Sequence, residues 1–112
     1  METIARIFGI TSRQALVDFA RAIDEWPTTE KLEFFRLFGP SVERWYFQEV
    51  EGKPYVIAIA RADNATAGFE HLATSADPFT RWFREQALKL TGVDLAKAAR
   101  GPTSEFIYEF RV

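Results

Sequence analysis

The strongest constraint on the fold comes from a run near the middle of the sequence that is apolar on both faces. Side chains alternate between the two faces of a β-strand. In the predicted strand Pro54–Ala62, one face carries Tyr55, Ile57 and Ile59, and the other carries Val56, Ala58 and Ala60. An antiparallel sheet with one face in water shows apolar and polar residues in alternation. Because this strand does not, we expect both faces of its sheet to be covered.

Turn and capping signals divide the rest of the chain into strands and helices. The predicted strands are Glu2–Ile10, Val42–Val50, Pro54–Ala62 and Ser104–Val112. The first predicted helix follows the capping-box pattern Thr11-Ser12-Arg13-Gln14 and ends at Pro27, the second covers Thr28–Phe38, the third is capped by Asp63 or Asn64, and the clearest begins at Asp77-Pro78 and stops at Gly92.

The order strand, helix, strand, strand, helix, strand, with short extra helices, is the split βαβ arrangement. It predicts an α+β fold of the ferredoxin-like βαββαβ type, with a four-stranded antiparallel sheet and the helices on one face. The sequence has 112 residues, which is the usual size of one domain. We therefore expect a single domain over residues 1–112.

Net charge and cysteine content exclude several classes of function. The net charge of −2 gives no basic field for a nucleic acid or an anionic membrane. The absence of cysteine excludes disulfides, thiolate metal sites and a cysteine nucleophile. No apolar run is long enough for a membrane span, and Met1–Ile4 does not resemble a signal peptide. We expect a cytoplasmic protein, and no motif predicts a cofactor.

The apolar surface of the predicted sheet favours a second copy of the chain as its cover. One face of the last predicted strand consists of Phe106, Tyr108, Phe110 and Val112. Each aromatic side chain left in water would forfeit roughly 1.5–3 kcal/mol. We therefore expect a homodimer in which two sheets pack face to face. The alternative is that the helix Thr28–Phe38 or the connector Val93–Thr103 folds over that face.

Two segments of the sequence resemble a known family. The first is Thr74–Phe83 (TSADPFTRWF), which continues to Leu90–Asp94 (LTGVD), and the second is Glu43–Glu49 (ERWYFQE). Together they resemble a group of small uncharacterised bacterial proteins in the dimeric α/β-barrel superfamily. The resemblance implies a homodimeric barrel with a cavity between sheet and helices. The wider superfamily includes cofactor-free monooxygenases, muconolactone isomerase, sugar mutarotases and haem-handling enzymes, so the resemblance does not select a reaction.

Three polar or aromatic positions on predicted strands and helices are candidates for lining a pocket. Trp45 and Glu49 share one face of the second predicted strand, where a carboxylate beside aromatic rings can act as an acid or base. An exposed Glu near a structural Trp is the alternative. His71 is the only histidine and is a candidate general base or haem ligand. Its alternative is an exposed or hydrogen-bonded residue without a function.

Two further candidates lie on the first and last predicted strands. Arg6 is on an apolar face, so it needs an anionic partner. The candidates are Glu49, Glu105, Glu109 or a substrate carboxylate. Tyr108 carries a hydroxyl on an apolar face and either orients a ligand or reaches the rim of the core.

These observations favour a homodimer that binds an aromatic or apolar small molecule, with cofactor-independent oxygenase or isomerase activity as the leading hypothesis. The first alternative is a non-catalytic structural or interaction module with a fully packed barrel. The second is a haem-binding protein, which depends on His71 alone.

Overall fold

The computed structural model describes residues 2–37, 41–97 and 104–112. Its elements are β1 (Glu2–Gly9), α1 (Arg13–Glu25), α2 (Thr28–Arg36), β2 (Ser41–Val50), β3 (Lys53–Ala62), α3 (Ala65–Thr74) and α4 (Pro78–Thr91). The predicted end of the second helix at Phe38 lies outside the described residues, as does the connector from residue 98 to residue 103.

The described strands form one antiparallel sheet in the order β1-β3-β2. The strand that is apolar on both faces, β3, is therefore the central one. The predicted hairpin between β2 and β3 is confirmed, with Val50 opposite Lys53. Its two turn residues, Glu51 and Gly52, both have positive φ (52° and 79°), which is the backbone of the two-residue turns that match strand twist.

The predicted ferredoxin-like βαββαβ fold with a four-stranded sheet, from which the dimeric α/β barrel was expected, is wrong. Over the described residues the fold is α+β with a three-stranded sheet, because Ser104–Val112 does not join it. The Ser104 amide donates to the Ala5 carbonyl at 2.9 Å, but residues 105–112 are exposed and belong to no strand. Alternating apolar residues favour extended backbone locally, but strand pairing also needs a surface that buries them, and this chain offers none at that point.

Side-chain caps fix where three helices begin. Asp77 accepts a hydrogen bond from the Thr80 amide at 3.0 Å, and Pro78 follows it as the first residue of α4, as predicted. Gly92 ends α4 in the left-handed conformation (φ 77°), also as predicted. Asn64, one of the two predicted caps, accepts from the Ala67 amide. The first helix is capped by Ser12 rather than by Thr11, because the Ser12 hydroxyl is the one that accepts from the Ala15 amide.

All the helices that contribute to the core pack on one face of the sheet, here called the inner face. The core joins strand residues Ile4, Val56 and Ala62 to an aromatic group on the helices: Phe19, Phe34, Phe69 and Phe79. Phe79 is fully buried, and its ring lies 5.3–6.1 Å from four others: Trp26, Phe34, Trp82 and Phe83. No helix among the described residues is long and apolar enough to cross a membrane.

The opposite face of the sheet, here called the outer face, has no cover among the described residues. Ile7 and Tyr46 are each 48% exposed, and Ile57 lies between them on β3. Helix α2, which was one alternative cover, instead packs through Phe34 against Phe83 on the inner side.

The stability of the fold should depend strongly on Phe79. We expect Phe79→Ala to lower the free energy of unfolding by about 3–5 kcal/mol, because it leaves a cavity inside an aromatic cluster. Leu88→Ala is the matched control, since Leu88 is on the same helix and exposed. Urea unfolding measures both, and equal losses would contradict this account of the core.

Candidate functional site

A cavity of about 290 Å³ lies between the inner face and the helices. Its sheet side is formed by Ala58, Ala60 and Ala62 of β3, with Arg6 and Phe8 of β1 and Trp45 of β2 beside them. Its helix side includes Leu16, Phe19, Phe34, Phe69, Leu72, Phe83, Ala87 and Leu90. The lining is therefore mainly apolar, and its polar members are Arg6, Ser41, Glu43 and Thr91.

The hollow exists because the central strand carries small side chains where its neighbours carry large ones. In the sheet register Ala58 lies between Arg6 and Trp45, and Ala60 lies between Ile4 and Glu43. An alanine side chain ends at Cβ, so the helices that rest on the larger flanking residues do not reach the middle of the sheet. The alternation of alanine in β3 thus produces a trough along the strand.

One charged pair faces this apolar space. An Arg6 guanidinium nitrogen (Nη2) donates to Glu43 Oε1 at 3.4 Å across the alanines of β3. The guanidinium also lies over the Phe69 ring at 4.9 Å and the Phe8 ring at 5.5 Å, within the range of a cation–π contact. Arg6 is only 8% exposed, while the Glu43 side chain is 31% exposed.

Glu43 is the anionic partner of Arg6, and it was not among the partners expected from the sequence. Of those expected partners, Glu49 lies beside Pro54 near the hairpin turn, and Glu109 pairs with Arg111 at 2.8 Å. The two strands that flank a central one are about 10 Å apart, a gap that a long Arg side chain crosses only over small residues. The signal was present in the sequence, since Glu43 shares a face with Trp45 and the facing β3 residues are alanines.

The structure brings together two of the five residues proposed to line a pocket. Arg6 and Trp45 both line the cavity. Glu49 is exposed and does not line it, and Tyr108 is 74% exposed on the segment that leaves the sheet. His71 lies elsewhere, on α3 against the start of α4.

His71 belongs to a polar cluster at the start of α4. Its Nε2 atom lies 3.1 Å from Asp77 Oδ2 and 3.2 Å from the Thr80 hydroxyl. The Thr80 hydroxyl donates to the same carboxylate oxygen at 2.7 Å, and the Ser75 hydroxyl donates to it at 2.5 Å. These contacts join the end of α3 to the cap of α4.

This cluster does not have the geometry of a catalytic triad. In a triad, one imidazole nitrogen faces the nucleophile and the other faces the carboxylate. Here Thr80 and Asp77 both contact Nε2, and the hydroxyl of the fully buried Thr80 donates a hydrogen bond to the Asp77 carboxylate. Within the part of the chain that the structure describes, no group of three His, Asp or Glu side chains could hold a metal ion.

Burial and hydrogen bonding act in opposite directions on Asp77. Desolvation is the largest single effect and raises the pKa of its carboxyl group. The hydrogen bonds from Ser75 and Thr80, together with charge on His71, outweigh it and hold the pKa at about 2 instead of 3.8. The folded state therefore binds the proton of Asp77 more weakly than the unfolded chain does.

The Asp77 cap should make stability depend on pH in acid. A depressed pKa stabilises the fold above pH 3.8, and that contribution is lost as the pH falls towards 2. Asp77→Asn keeps a capping oxygen but does not titrate, so the difference in unfolding free energy between the wild type and this variant should shrink between pH 4 and pH 2. At pH 7 we expect Asp77→Ala to cost about 0.5–2 kcal/mol. Urea unfolding at several pH values measures this, and a difference that does not change with pH would contradict the assignment.

No protein-family model, curated protein or solved structure matches this chain.

Proposed function

We propose that this chain binds a small aromatic or apolar molecule in the cavity on the inner face, beside the Arg6–Glu43 pair in the cavity wall. The observation that carries the proposal is an apolar hollow of about 290 Å³ with one charged pair in its wall. Ligand sites combine these two features, since apolar walls give affinity and a few polar groups fix orientation.

The size of the hollow sets the size of the ligand. An apolar cavity of roughly 150 Å³ holds one benzene ring, and pockets for larger ligands begin at about 300 Å³. The present cavity lies near that boundary. We therefore expect a molecule of one or two rings with a single polar group.

The polar pair is arranged so that it can exchange its own contact for a contact with a ligand. A close hydrogen bond between a guanidinium and a carboxylate spans about 2.7–2.9 Å, whereas Arg6 and Glu43 are 3.4 Å apart. Glu43 is also the more exposed partner, and it lines the cavity. A carbonyl or hydroxyl group of the ligand would accept from Arg6 while Glu43 faces the adjacent carbon.

That arrangement favours isomerisation by proton transfer as the reaction. Glu43 would take a proton from a carbon next to a carbonyl, and the electrons of that C–H bond would move onto the carbonyl oxygen beside Arg6. Return of the proton to another carbon of the same conjugated system gives the isomer. No other reactant is needed. The haem alternative has no support, because His71 lies outside the cavity and contacts Asp77 and Thr80.

Filling the trough should remove binding. We expect 2-naphthol, which has two rings and one hydroxyl, to bind the wild type, and Ala60→Leu to weaken binding at least tenfold by occupying the hollow. Ile59→Leu is the matched control, since Ile59 is the next residue on the same strand and its side chain is on the outer face. Ligand-observed NMR and calorimetry measure affinity. If 2-naphthol does not bind at millimolar concentration, or binds Ala60→Leu equally well, the proposed site is wrong.

Proton transfer should require Glu43. The probe is 2-tetralone in D₂O, whose acidic C–H bonds exchange with solvent when a base acts on them. We expect Glu43→Gln to slow the protein-catalysed uptake of deuterium by about 10²-fold or more, with affinity for the probe within threefold of the wild type. Glu49→Gln, a change on the same strand outside the cavity, should leave the rate unchanged. Equal rates in wild type and Glu43→Gln would exclude the base while leaving the binding proposal intact.

A further inference from the structure

We propose that residues 104–112 of one copy, here called the arm, form a strand on the free β2 edge of a second copy, in a reciprocal dimer. The arm is rich in apolar residues, yet its side chains are exposed rather than packed against the described residues of its own chain. Phe106 and Ile107 are each 77% exposed, and the other large apolar side chains of the arm are similarly open: Tyr108, Phe110 and Val112.

The arm has the side-chain pattern of a strand with one buried and one wet face. Phe106, Tyr108, Phe110 and Val112 alternate with three charged residues and one apolar residue: Glu105, Ile107, Glu109 and Arg111. On the polar side, Glu109 and Arg111 form an ion pair at 2.8 Å, as expected for neighbours on one face of an extended chain. The arm belongs to no helix or strand of its own chain, and no described strand pairs with it.

The arm's own β1 edge is too short to pair with it. The arm begins at Ala5, where the Ser104 amide is bonded, and β1 extends at most four residues from Ala5 in either direction, to Glu2 or to Gly9. That is about 13 Å of strand, whereas the eight residues after Ser104 would span about 27 Å as a strand. A strand formed by the whole arm would therefore extend beyond its own β1 edge.

The sheet offers a matching apolar surface on its outer face. Ile7, Ile57 and Tyr46 lie side by side across β1, β3 and β2. Ile59 of β3 is on the same face, and Val42 and Val50 of β2 are exposed there as well. One chain thus carries both an uncovered apolar arm and an uncovered apolar sheet face, which makes a second copy the complementary partner.

Symmetry brings the arm to the β2 edge of that second copy. When two such faces pack about a twofold axis parallel to the strands, the β1 edge of each sheet lies beside the β2 edge of the other. The arm begins beside the β1 edge. The ten residues of β2 pair with β3 on one edge, and no described strand pairs with their other edge. Backbone groups of the arm and of this edge, otherwise unpaired, would then satisfy each other.

The area available is sufficient for a stable dimer. A stable interface buries about 1,200–2,000 Å² in total. A large side chain such as Phe or Tyr covers about 150–250 Å² when buried, so the exposed rings of two arms and the surfaces they cover reach that range before the sheet faces are included.

Measurements of oligomeric state test whether the dimer forms and which face of the arm makes the contact. By sedimentation and native mass spectrometry, the wild type should have twice the monomer mass of 12.9 kDa at micromolar concentration. The double variant Phe106→Ser and Phe110→Ser should raise the dissociation constant at least a hundredfold while circular dichroism keeps the helical signal. The control is Glu105→Ser with Glu109→Ser, on the other side of the arm, and should remain dimeric. A wild type that is monomeric at 100 µM, or equal effects of the two double variants, would overturn the proposal.

Disulfide trapping tests the position of the arm. The chain has no cysteine, so each introduced thiol is unique. Tyr108→Cys in one tagged copy should cross-link to Tyr46→Cys on β2 of an untagged copy at least ten times faster than to Ile7→Cys on β1. Both acceptor positions are in the same outer-face row and are equally exposed. A faster reaction with Ile7→Cys would overturn the assignment to the β2 edge.

Discussion

The central strand β3 sets the properties of both sides of this molecule. Its inner face carries Ala58, Ala60 and Ala62, and its outer face carries Ile57 and Ile59. The small residues leave space under the helices, while the large ones make a surface that water does not favour. A strand with this composition favours an occupant in the space under the helices and a cover on its outer face. The described residues provide neither.

The Arg6–Glu43 pair has a double role in this arrangement. A guanidinium that is almost fully buried needs an anion and contact with aromatic faces, and it has both in Glu43, Phe69 and Phe8. The same pair is the charged feature of a mainly apolar cavity wall. A ligand that replaces part of this contact would be held in one orientation. The contact that allows Arg6 to be buried would thus also place Glu43 beside the ligand.

Local signals predicted local structure well. Asp77-Pro78 and Gly92 marked the ends of α4 correctly, because caps and left-handed glycines act within a few residues. The hairpin at Glu51-Gly52 was predicted for the same reason. The prediction was wrong for Ser104–Val112, since alternation shows that a segment can be a strand but not what it pairs with.

The same limit applied to the candidate site. Arg6 and Trp45 were identified from their faces on single strands, but the Arg6–Glu43 contact depends on register across three strands and on the small size of the residues between. Tyr108 and Glu49 had the right residue type for a pocket, yet neither lies at the cavity. The resemblance to the dimeric α/β-barrel superfamily stays a prediction.

Backbone hydrogen exchange as a function of protein concentration tests most directly the claim that the outer face is covered by a second copy. We expect amides of residues 105–112 and of β2 to be protected at high concentration and to lose protection together on dilution, while β3 amides stay protected throughout. Arm amides that exchange at the rate of an unfolded peptide at every concentration would contradict it.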